Sequence, residues 1–380
     1  MGVNVKNRAF NIFNIFNIFD KNIITGYNLS MLLNLVKIFL PTVVAFLIGL
    51  FITPTATHFF YKYKMWKKYS RNEATFSDFQ KVHNGEEELK TPRVGGVIIW
   101  ISILFSTLIF YFISIFFPSD FSEKINFLSN NQTLIPLAVL LFGSFLGLWD
   151  DLIQIYGKGK IAHDDISWRK WKALLVIIIS FLIGLWFYYK LGMISIHIPF
   201  GGEMYLGVLI IPFFILVALA TFSGGVIDGL DGLSGGVLAS IFAAYSMIAF
   251  VNNQIDIAAF SAVATGAILA FLWFNIPPAR FYMGETGIIG LTITLATLAF
   301  LTDSVLILPV VAMPLVVSSG SVLLQMLSKK LRNGKKIFRL APIHHHFEAL
   351  GWPSYKVTMR FWVLSVAFSI IGIILAVISR

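Results

Sequence analysis

The stretch Leu134-Ile-Pro-Leu-Ala-Val-Leu-Leu-Phe-Gly-Ser-Phe-Leu-Gly-Leu-Trp149-Asp150-Asp151 runs without a charge to Trp149 and then sets two carboxylates side by side. A helix needs roughly 20 apolar residues to cross a bilayer, so the run reads as a membrane span that extends into the polar residues after it. Lipid-exposed backbone must satisfy its own hydrogen bonds, and the run lacks the two-residue alternation of a barrel strand, which leaves a helix. A carboxylate at the bilayer edge loses hydration and gains no apolar contact, so Asp150 and Asp151 mark a candidate site by default. A polar stop for the span is the plainer alternative, but a stop does not need acid.

The pattern recurs along a chain that is 57% hydrophobic and 13% charged. Apolar runs at 35–60, 94–117, 173–189, 206–222, 233–251, 257–274, 288–301, 305–327 and 361–378 join 134–149 as expected spans. The expected fold class is an all-α polytopic membrane protein of about ten transmembrane helices. Most of the 29 Lys and Arg fall on one side of these spans, at 62–93, 158–172, 280 and 329–360. By the positive-inside rule that side is cytoplasmic, both termini are extracytoplasmic, and the acidic and His motifs share the cytoplasmic face, where one active site can gather them. The net charge of +10 then belongs to topology and to membrane lipids or phosphate partners, and no nucleic-acid partner is expected.

Residues 1–33 differ from the rest. Phe10, Phe13, Phe16 and Phe19 repeat every third residue, a period that drifts around a helix instead of holding one face. A secretory signal would need a compact apolar core and a small-residue cleavage site, so 1–33 reads as an interfacial or disordered leader and 34–380 as a single transmembrane catalytic domain. The absence of cysteine excludes disulfides, thiolate catalysis and Cys-ligated metals.

Four cytoplasmic segments carry the chemistry. Asp150 and Asp151 are adjacent carboxylates that repel, so they suit a shared cation or a base with a tuned pKa. Gly224-Gly-Val-Ile-Asp228-Gly-Leu-Asp231-Gly-Leu-Ser-Gly-Gly236 puts two carboxylates three apart, on one face if helical, in a turn whose glycines let a ligand approach the backbone. Small-residue helix packing explains those glycines but not the aspartates. Asn275-Ile-Pro-Pro-Ala-Arg-Phe-Tyr282-Met-Gly-Glu285-Thr-Gly287 ends one helix at its prolines and starts another at Glu285, where a lone Glu is usually a dipole partner. The basic loop 329–360 contains His344-His345-His346. Three consecutive imidazoles cannot all face one ligand; the spacing is weak for zinc and suits a phosphate or a nucleobase edge. Carboxylates able to hold a hard cation, with Lys, Arg and His around them, point to phosphoryl transfer at the inner membrane surface between a soluble phosphate compound and a lipid.

From about Leu35 onwards the arrangement resembles the polyprenyl-phosphate sugar-1-phosphate transferase superfamily, and within it the phospho-N-acetylmuramoyl-pentapeptide transferase family. The most specific part is Ala341-Pro-Ile-His-His-His-Phe-Glu-Ala-Leu-Gly-Trp352, followed by Arg360-Phe-Trp362. The resemblance implies a Mg²⁺-dependent enzyme of the bacterial cytoplasmic (inner) membrane, and a homodimer by family habit. It would transfer phospho-N-acetylmuramoyl-pentapeptide from its UDP conjugate, UDP-N-acetylmuramoyl-pentapeptide, to undecaprenyl phosphate, giving lipid I and UMP in peptidoglycan synthesis. It implies Asp150, Asp151 and His344 as catalytic residues, and Glu285 as metal ligand, together with Asp150 and Asp151. For substrate binding it implies Asp228, Asp231, Asn275, Tyr282, Gln325, His345 and His346, with Lys90, Lys158, Lys170 and Lys172 as cations for phosphate.

The chain departs from the family pattern at five places. Glu285 stands for an Asp, Gly225 for an Asn three residues before Asp228, Gln154 for a Lys after the aspartate pair, and Glu88 for a Lys. Thr91-Pro92-Arg93-Val94-Gly95-Gly96 replaces Thr-Pro-Thr-Met-Gly-Gly. Arg93 and Gly225 favour a related transferase with another UDP-sugar, such as UDP-N-acetylglucosamine, as the second reading. A transporter of anionic or lipid-linked solutes would use broken spans and glycine turns too, but with its site near mid-bilayer.

Overall fold

The computed structural model describes residues 29–66, 90–129, 132–157 and 166–379. In chain order the helices are α1 (Leu29–Lys62), α2 (Gly96–Phe116), the short α3 (Asp120–Ile125), α4 (Leu134–Tyr156) and α5 (Ile166–Tyr189). After a hairpin come α6 (Ile210–Ser223), α7 (Leu233–Val251), α8 (Ile255–Asn275), α9 (Gly284–Leu301), the short α10 (Leu308–Val311), α11 (Met313–Leu331), the short α12 (Ile343–Ala349) and α13 (Ser354–Ile378). The hairpin pairs β1 (Ser195–Ile198) antiparallel with β2 (Gly202–Tyr205), Ser195 facing Tyr205. His197 on β1 takes Asp303 Oδ1 through its amide and meets the Ser379 carbonyl through Nε2, so the hairpin ties the end of α13 to the turn after α9.

Nine helices among the described residues are long and apolar enough to cross a membrane. The chain is a polytopic, all-α membrane protein, as its apolar runs imply. The two short runs do extend into polar sequence: α4 continues through Asp150 and Asp151 to Tyr156, and α9 begins four residues before Ile288, at Gly284. The expected span at 305–327 is instead interrupted at Ala312, between α10 and α11, with Pro309 and Pro314 on either side of the break. Proline removes an amide donor and crowds the preceding turn, which is why the apolar run does not continue as one helix. The leader boundary also shifts. Leu29 to Leu33 belong to α1, because Met31, Leu32 and Leu33 prolong its apolar sequence, while 1–28 lie outside the described residues.

Burial is not shared evenly. α9 is 94% buried within the protein, whereas α13 is only 28% buried. The most enclosed span is among the least apolar, and the most apolar is among the least enclosed. α9 and α4 both have a mean hydropathy of 1.5 against 2.7 for α13, so a helix that meets protein instead of lipid is free to carry threonines. Two of the hydroxyls are satisfied within the helix: Thr292 and Thr297 donate to the carbonyls of Ile288 and Ile293. Small residues let the backbones touch. A Cβ on Gly147 of α4 would fall 2.0 Å from the Glu285 carbonyl oxygen, and one on Gly96 of α2 2.2 Å from the Gly287 nitrogen. The start of α9 is therefore wedged between α2 and α4.

Candidate active site

The site is assembled on the N-terminal end of α9. Tyr282 N donates to Pro92 O, Gly95 N to Tyr282 O and Gly96 N to Met283 O, all near 2.9 Å, so the segments leading into α2 and α9 are tied side by side. Gly284 follows at φ +70°, and a Cβ there would sit 1.8 Å from the Arg93 carbonyl oxygen. Glycine is required at this position by conformation and by space.

Two helices bring charge to this corner. Asp150 and Asp151, at 1% and 2% exposure, lie near the end of α4. Asp151 accepts from the Glu285 and Thr286 amides at 3.2 and 2.9 Å and from the Thr286 hydroxyl at 2.6 Å. It caps α9 from a neighbouring helix, meeting the positive end of the helix dipole. Asp150 Oδ2 accepts from Gln154 at 2.8 Å and from Lys172 of α5 at 3.1 Å. The same ammonium donates to Glu285 Oε1 at 3.1 Å, so Lys172 joins the first aspartate to the glutamate.

The glycine turn comes next. It opens as a 3-10 turn over Gly224–Ile227, and Gly232 is left-handed at φ +73° before α7 starts at Leu233. Helical geometry does not extend through Asp228 and Asp231: the 3-10 turn ends at Asp228, whose φ −76° and ψ 65° leave the helical region, and the expected shared face is lost. Asp228 accepts from Ser234 Oγ at 2.7 Å and from Gly284 N at 3.2 Å. Its burial raises the carboxyl above its ordinary range, opposed by the Ser234 hydroxyl, the Arg93 charge and the Gly284 amide. Asp231 instead accepts from Ala279 N at 3.0 Å. Asn275 links the two loops, accepting from Gly232 N and donating to Phe281 O.

The segment between α11 and α12 forms the opposite wall. Gln325 accepts from Ile337 N and Phe338 N and donates to Phe338 O, Ser328 Oγ donates to Lys335 O, and Ile343 N donates to Ser321 Oγ. On α12, His345 Nδ1 meets Glu348 Oε2 at 2.7 Å, and its ring lies 4.3 Å from that of the fully buried His344. A Cβ on Gly229 would lie 2.7 Å from His344 Nε2 and 2.8 Å from His345 Nε2, so both rings converge on that glycine. His346 turns away and accepts from Arg339 N.

These parts enclose a cavity of about 650 Å³ with Asp228 and Glu285 on one side and the cations Arg93, Lys172, Lys329, Lys336 and Arg339 around it. Of the residues expected from sequence, Asp228, Glu285, Lys172, Gln325 and His345 line it. Asp150 and Asp151 stand directly behind Lys172 and the start of α9, and His344 behind His345. Asp231, Asn275, Tyr282 and His346 support the surrounding loops without lining the cavity, and Lys90 and Lys170, both exposed, are also absent from its lining. Lys158 lies outside the described residues. Arg93 stands out in the sequence only as a departure from the family pattern, and Lys329, Lys336 and Arg339 are marked there only by the density of basic residues at 329–339.

The comparisons with known proteins bear on the same residues. The model of Glycosyl transferase family 4 matches residues 133–303. A phospho-N-acetylmuramoyl-pentapeptide-transferase of Listeria monocytogenes is 33% identical over 87% of this chain and 95% of its own length. One from Clostridium perfringens is 33% identical over 88% and 98%, and one from Geobacillus sp. 31% identical over 89% and 97%. The chain belongs to the phospho-N-acetylmuramoyl-pentapeptide-transferase family. Two departures from the family pattern acquire a physical account. A Cβ on Gly225 would come within 2.3 Å of Ile288 Cγ2, so Ile288 fills the space of the absent Asn side chain. Gln154 is turned onto Asp150.

A divalent cation fits the donor set. Magnesium typically takes one or two carboxylates and completes its shell with phosphate oxygens and water, and Glu285 and Asp228 both line the cavity. Among the described residues no group of three or more His, Cys, Asp or Glu forms an all-protein cage.

Proposed function

We propose that this protein is the lipid I-forming transferase of a bacterial cytoplasmic membrane, with the cavity facing the cytoplasm and the membrane body from α1 onwards acting as one catalytic unit, a homodimer in the bilayer. The donor is UDP-N-acetylmuramoyl-pentapeptide and the acceptor undecaprenyl phosphate. The observation that carries this reading is the cavity itself, where two carboxylates face five cations at the ends of membrane helices, within a chain of this family.

The chemistry follows from charge. An oxygen of the lipid phosphate attacks the sugar-linked phosphorus, the bond from that phosphorus to the UMP oxygen breaks, and UMP departs with the electron pair. Catalysis of such a step is mostly positioning and neutralisation of oxygens. Glu285 and Asp228 would hold magnesium, which supplies charge neutralisation at the phosphate oxygens. Lys172, beside Glu285, is placed to move its ammonium from the carboxylates to an incoming phosphate. Asp150 takes a proton carried by the attacking phosphate, while Asp151 keeps α9 in register. His345, held by Glu348, presents Nε2 beside Gly229 to the nucleotide.

A second donor is favoured by one feature. Ile288 against Gly225 makes the wall near Asp228 more apolar than the family pattern does, which suits a different UDP-sugar. One experiment tests both: purified protein is given undecaprenyl phosphate with UDP-N-acetylmuramoyl-pentapeptide or with UDP-N-acetylglucosamine, and the lipid product is identified by mass. Lipid I with stoichiometric UMP supports the first reading, and release of UMP only with the second sugar overturns it.

A further inference from the structure

The tail motif Arg360-Phe-Trp362 has no part in the chemistry above, yet two of its residues reach the walls of the site. α13 runs parallel to α7 and turns a stripe of polar side chains onto it. Thr358 Oγ1 donates to Asp231 O at 3.1 Å, Trp362 Nε1 to Gly232 O at 3.0 Å, and Ser365 Oγ and Ser369 Oγ to Val237 O and Ser240 O, both at 3.3 Å. Steps of three or four residues put the four donors on one helix face. Side-chain hydrogen bonds of this kind join membrane helices generally, and that is the plain account of Ser365 and Ser369, whose acceptors lie inside α7.

Thr358 and Trp362 differ, because their acceptors lie in the turn that leads into α7. Gly232, left-handed at φ +73°, is bonded on both sides: its amide donates to Asn275 Oδ1 at 3.0 Å and its carbonyl takes Trp362. Asp231 is held twice as well, its carboxylate by Ala279 N and its carbonyl by Thr358. Space is restricted too, since a Cβ on Gly236 would overlap the indole at Nε1. A tryptophan of the aromatic belt keeps its polar edge at the wet membrane interface. This one gives its N–H to a peptide carbonyl of the turn instead.

Three residues before Gly232 stands Gly229, where a Cβ would lie 2.7 Å from His344 Nε2 and 2.8 Å from His345 Nε2. Phe361, the neighbour of Trp362, lies T-shaped to the His344 ring, with centroids 6.4 Å apart. One turn of α13 therefore backs both halves of a wall: Phe361 stands behind the histidines, and Thr358 and Trp362 behind the glycine turn. Asp228, Gly229 and His345 line the cavity, whereas Thr358 and Trp362 do not.

Given the nucleotide reading of that wall, we propose that Thr358 and Trp362 are positioning residues for donor binding, which hold the Asp231 and Gly232 carbonyls and so keep Asp228 and Gly229 at the distance from His345 that the nucleotide requires. A wall fixed before the ligand arrives leaves less ordering to be done on binding. Helix-to-helix fastening alone predicts a different outcome: every bond of the stripe would then matter to stability and none to the nucleotide.

The test uses the full-length protein in detergent as wild type, Trp362→Phe, Thr358→Val and Ser369→Ala. UMP affinity is measured by calorimetry, and KM for the UDP-sugar and kcat by UMP release, with thermal unfolding alongside. Trp362→Phe keeps an aromatic ring and loses the N–H, and Thr358→Val keeps the shape and loses the hydroxyl. Each is expected to weaken UMP binding and raise KM by about 2- to 10-fold, the size of the one hydrogen bond that no longer restrains the turn, with a smaller change in kcat. Ser369→Ala removes a bond of the same stripe away from the turn and should bind UMP as wild type does. Unchanged UMP affinity in Trp362→Phe overturns the assignment, and Thr358→Val decides in the same way if Trp362→Phe does not fold. An equal loss of UMP affinity in Ser369→Ala overturns it too. A wild-type protein that neither binds UMP nor releases it overturns the donor reading instead, so the two failures are distinct.

Discussion

Asp151 is bonded twice to Thr286, through the amide at 2.9 Å and the hydroxyl at 2.6 Å, so two adjacent aspartates on one helix have different duties. Asp151 organises the first turn of α9, whereas Asp150 shares the ammonium of Lys172. Replacing each by Asn separates those duties. Asp150→Asn should lower turnover by roughly 10²–10⁴-fold, the usual cost of losing a general base, with little change in unfolding temperature. Asp151→Asn should lose turnover and in addition about 1–3 kcal/mol of stability, because α9 amides are left without their acceptor, and Thr286→Val should reproduce part of the stability loss. Thermal unfolding beside UMP release decides; an Asp151→Asn protein as stable as wild type refutes the capping role.

Glu285 faces the cavity and is neutralised by Lys172. If it holds magnesium, Glu285→Gln should raise the magnesium needed for half-maximal UMP release sharply and cut turnover, while Glu285→Asp keeps part of the activity. A dipole partner at a helix start is worth only about 0.3–1 kcal/mol, and under that role Gln would act almost as wild type. Magnesium titrations of the three proteins distinguish the cases, and an unchanged requirement in Glu285→Gln rejects the ligand.

His345 and Glu348 act as a pair at 2.7 Å. Glu348→Gln weakens the hold on the imidazole without touching the cavity wall, since Glu348 is absent from its lining. We expect Glu348→Gln to raise KM for the UDP-sugar less than His345→Ala does, and neither preparation to differ from wild type in zinc content. Stoichiometric zinc that disappears with either substitution contradicts a nucleotide role for these histidines.

Asp228 supplies a pH test. Its pKa is raised from 3.8 by burial. Below that value folded and unfolded chains both hold the proton. Above it the unfolded chain releases its proton first, so the contribution of Asp228 to stability falls as pH climbs from the unfolded value to the folded one, and is level beyond. Asp228→Asn has no proton to lose and keeps partners for Ser234 and Gly284. The unfolding temperature of wild type relative to Asp228→Asn should therefore fall as pH rises from about 4. A difference that does not vary with pH, or one that increases, counts against the shift.

The apolar runs made the membrane helices legible, because a span is encoded by local composition, and the resemblance in the tail made the family legible. The interruption at Ala312 was hidden because Pro309 and Pro314 sit in sequence that is apolar enough for a span throughout. The division of labour between Asp150 and Asp151 was equally hidden. It depends on Thr286, 135 residues away, and nothing in the local sequence of α4 distinguishes the two acids. Asp228 and Asp231 are legible as acids but not as a face, because a helical reading of their spacing does not anticipate that the turn leaves helical geometry at Asp228 itself. Arg93 was visible as a departure from a pattern, but its place in the cavity depends on the pairing of 92–96 with 282–283.

The enclosure of α9 has a consequence for biogenesis. Its main neighbours, α4, α6 and α2, all precede it in the chain, so a ribosome delivers the helix after the walls that will surround it. Its threonines and low hydropathy make it a poor candidate to wait in lipid alone, and a slot already lined by protein relieves that difficulty. Glu285 and Thr286 arrive with its first turn. The cavity is therefore completed late in synthesis, and a nascent chain stopped before α9 would carry the aspartate pair into the membrane with no helix for Asp151 to cap.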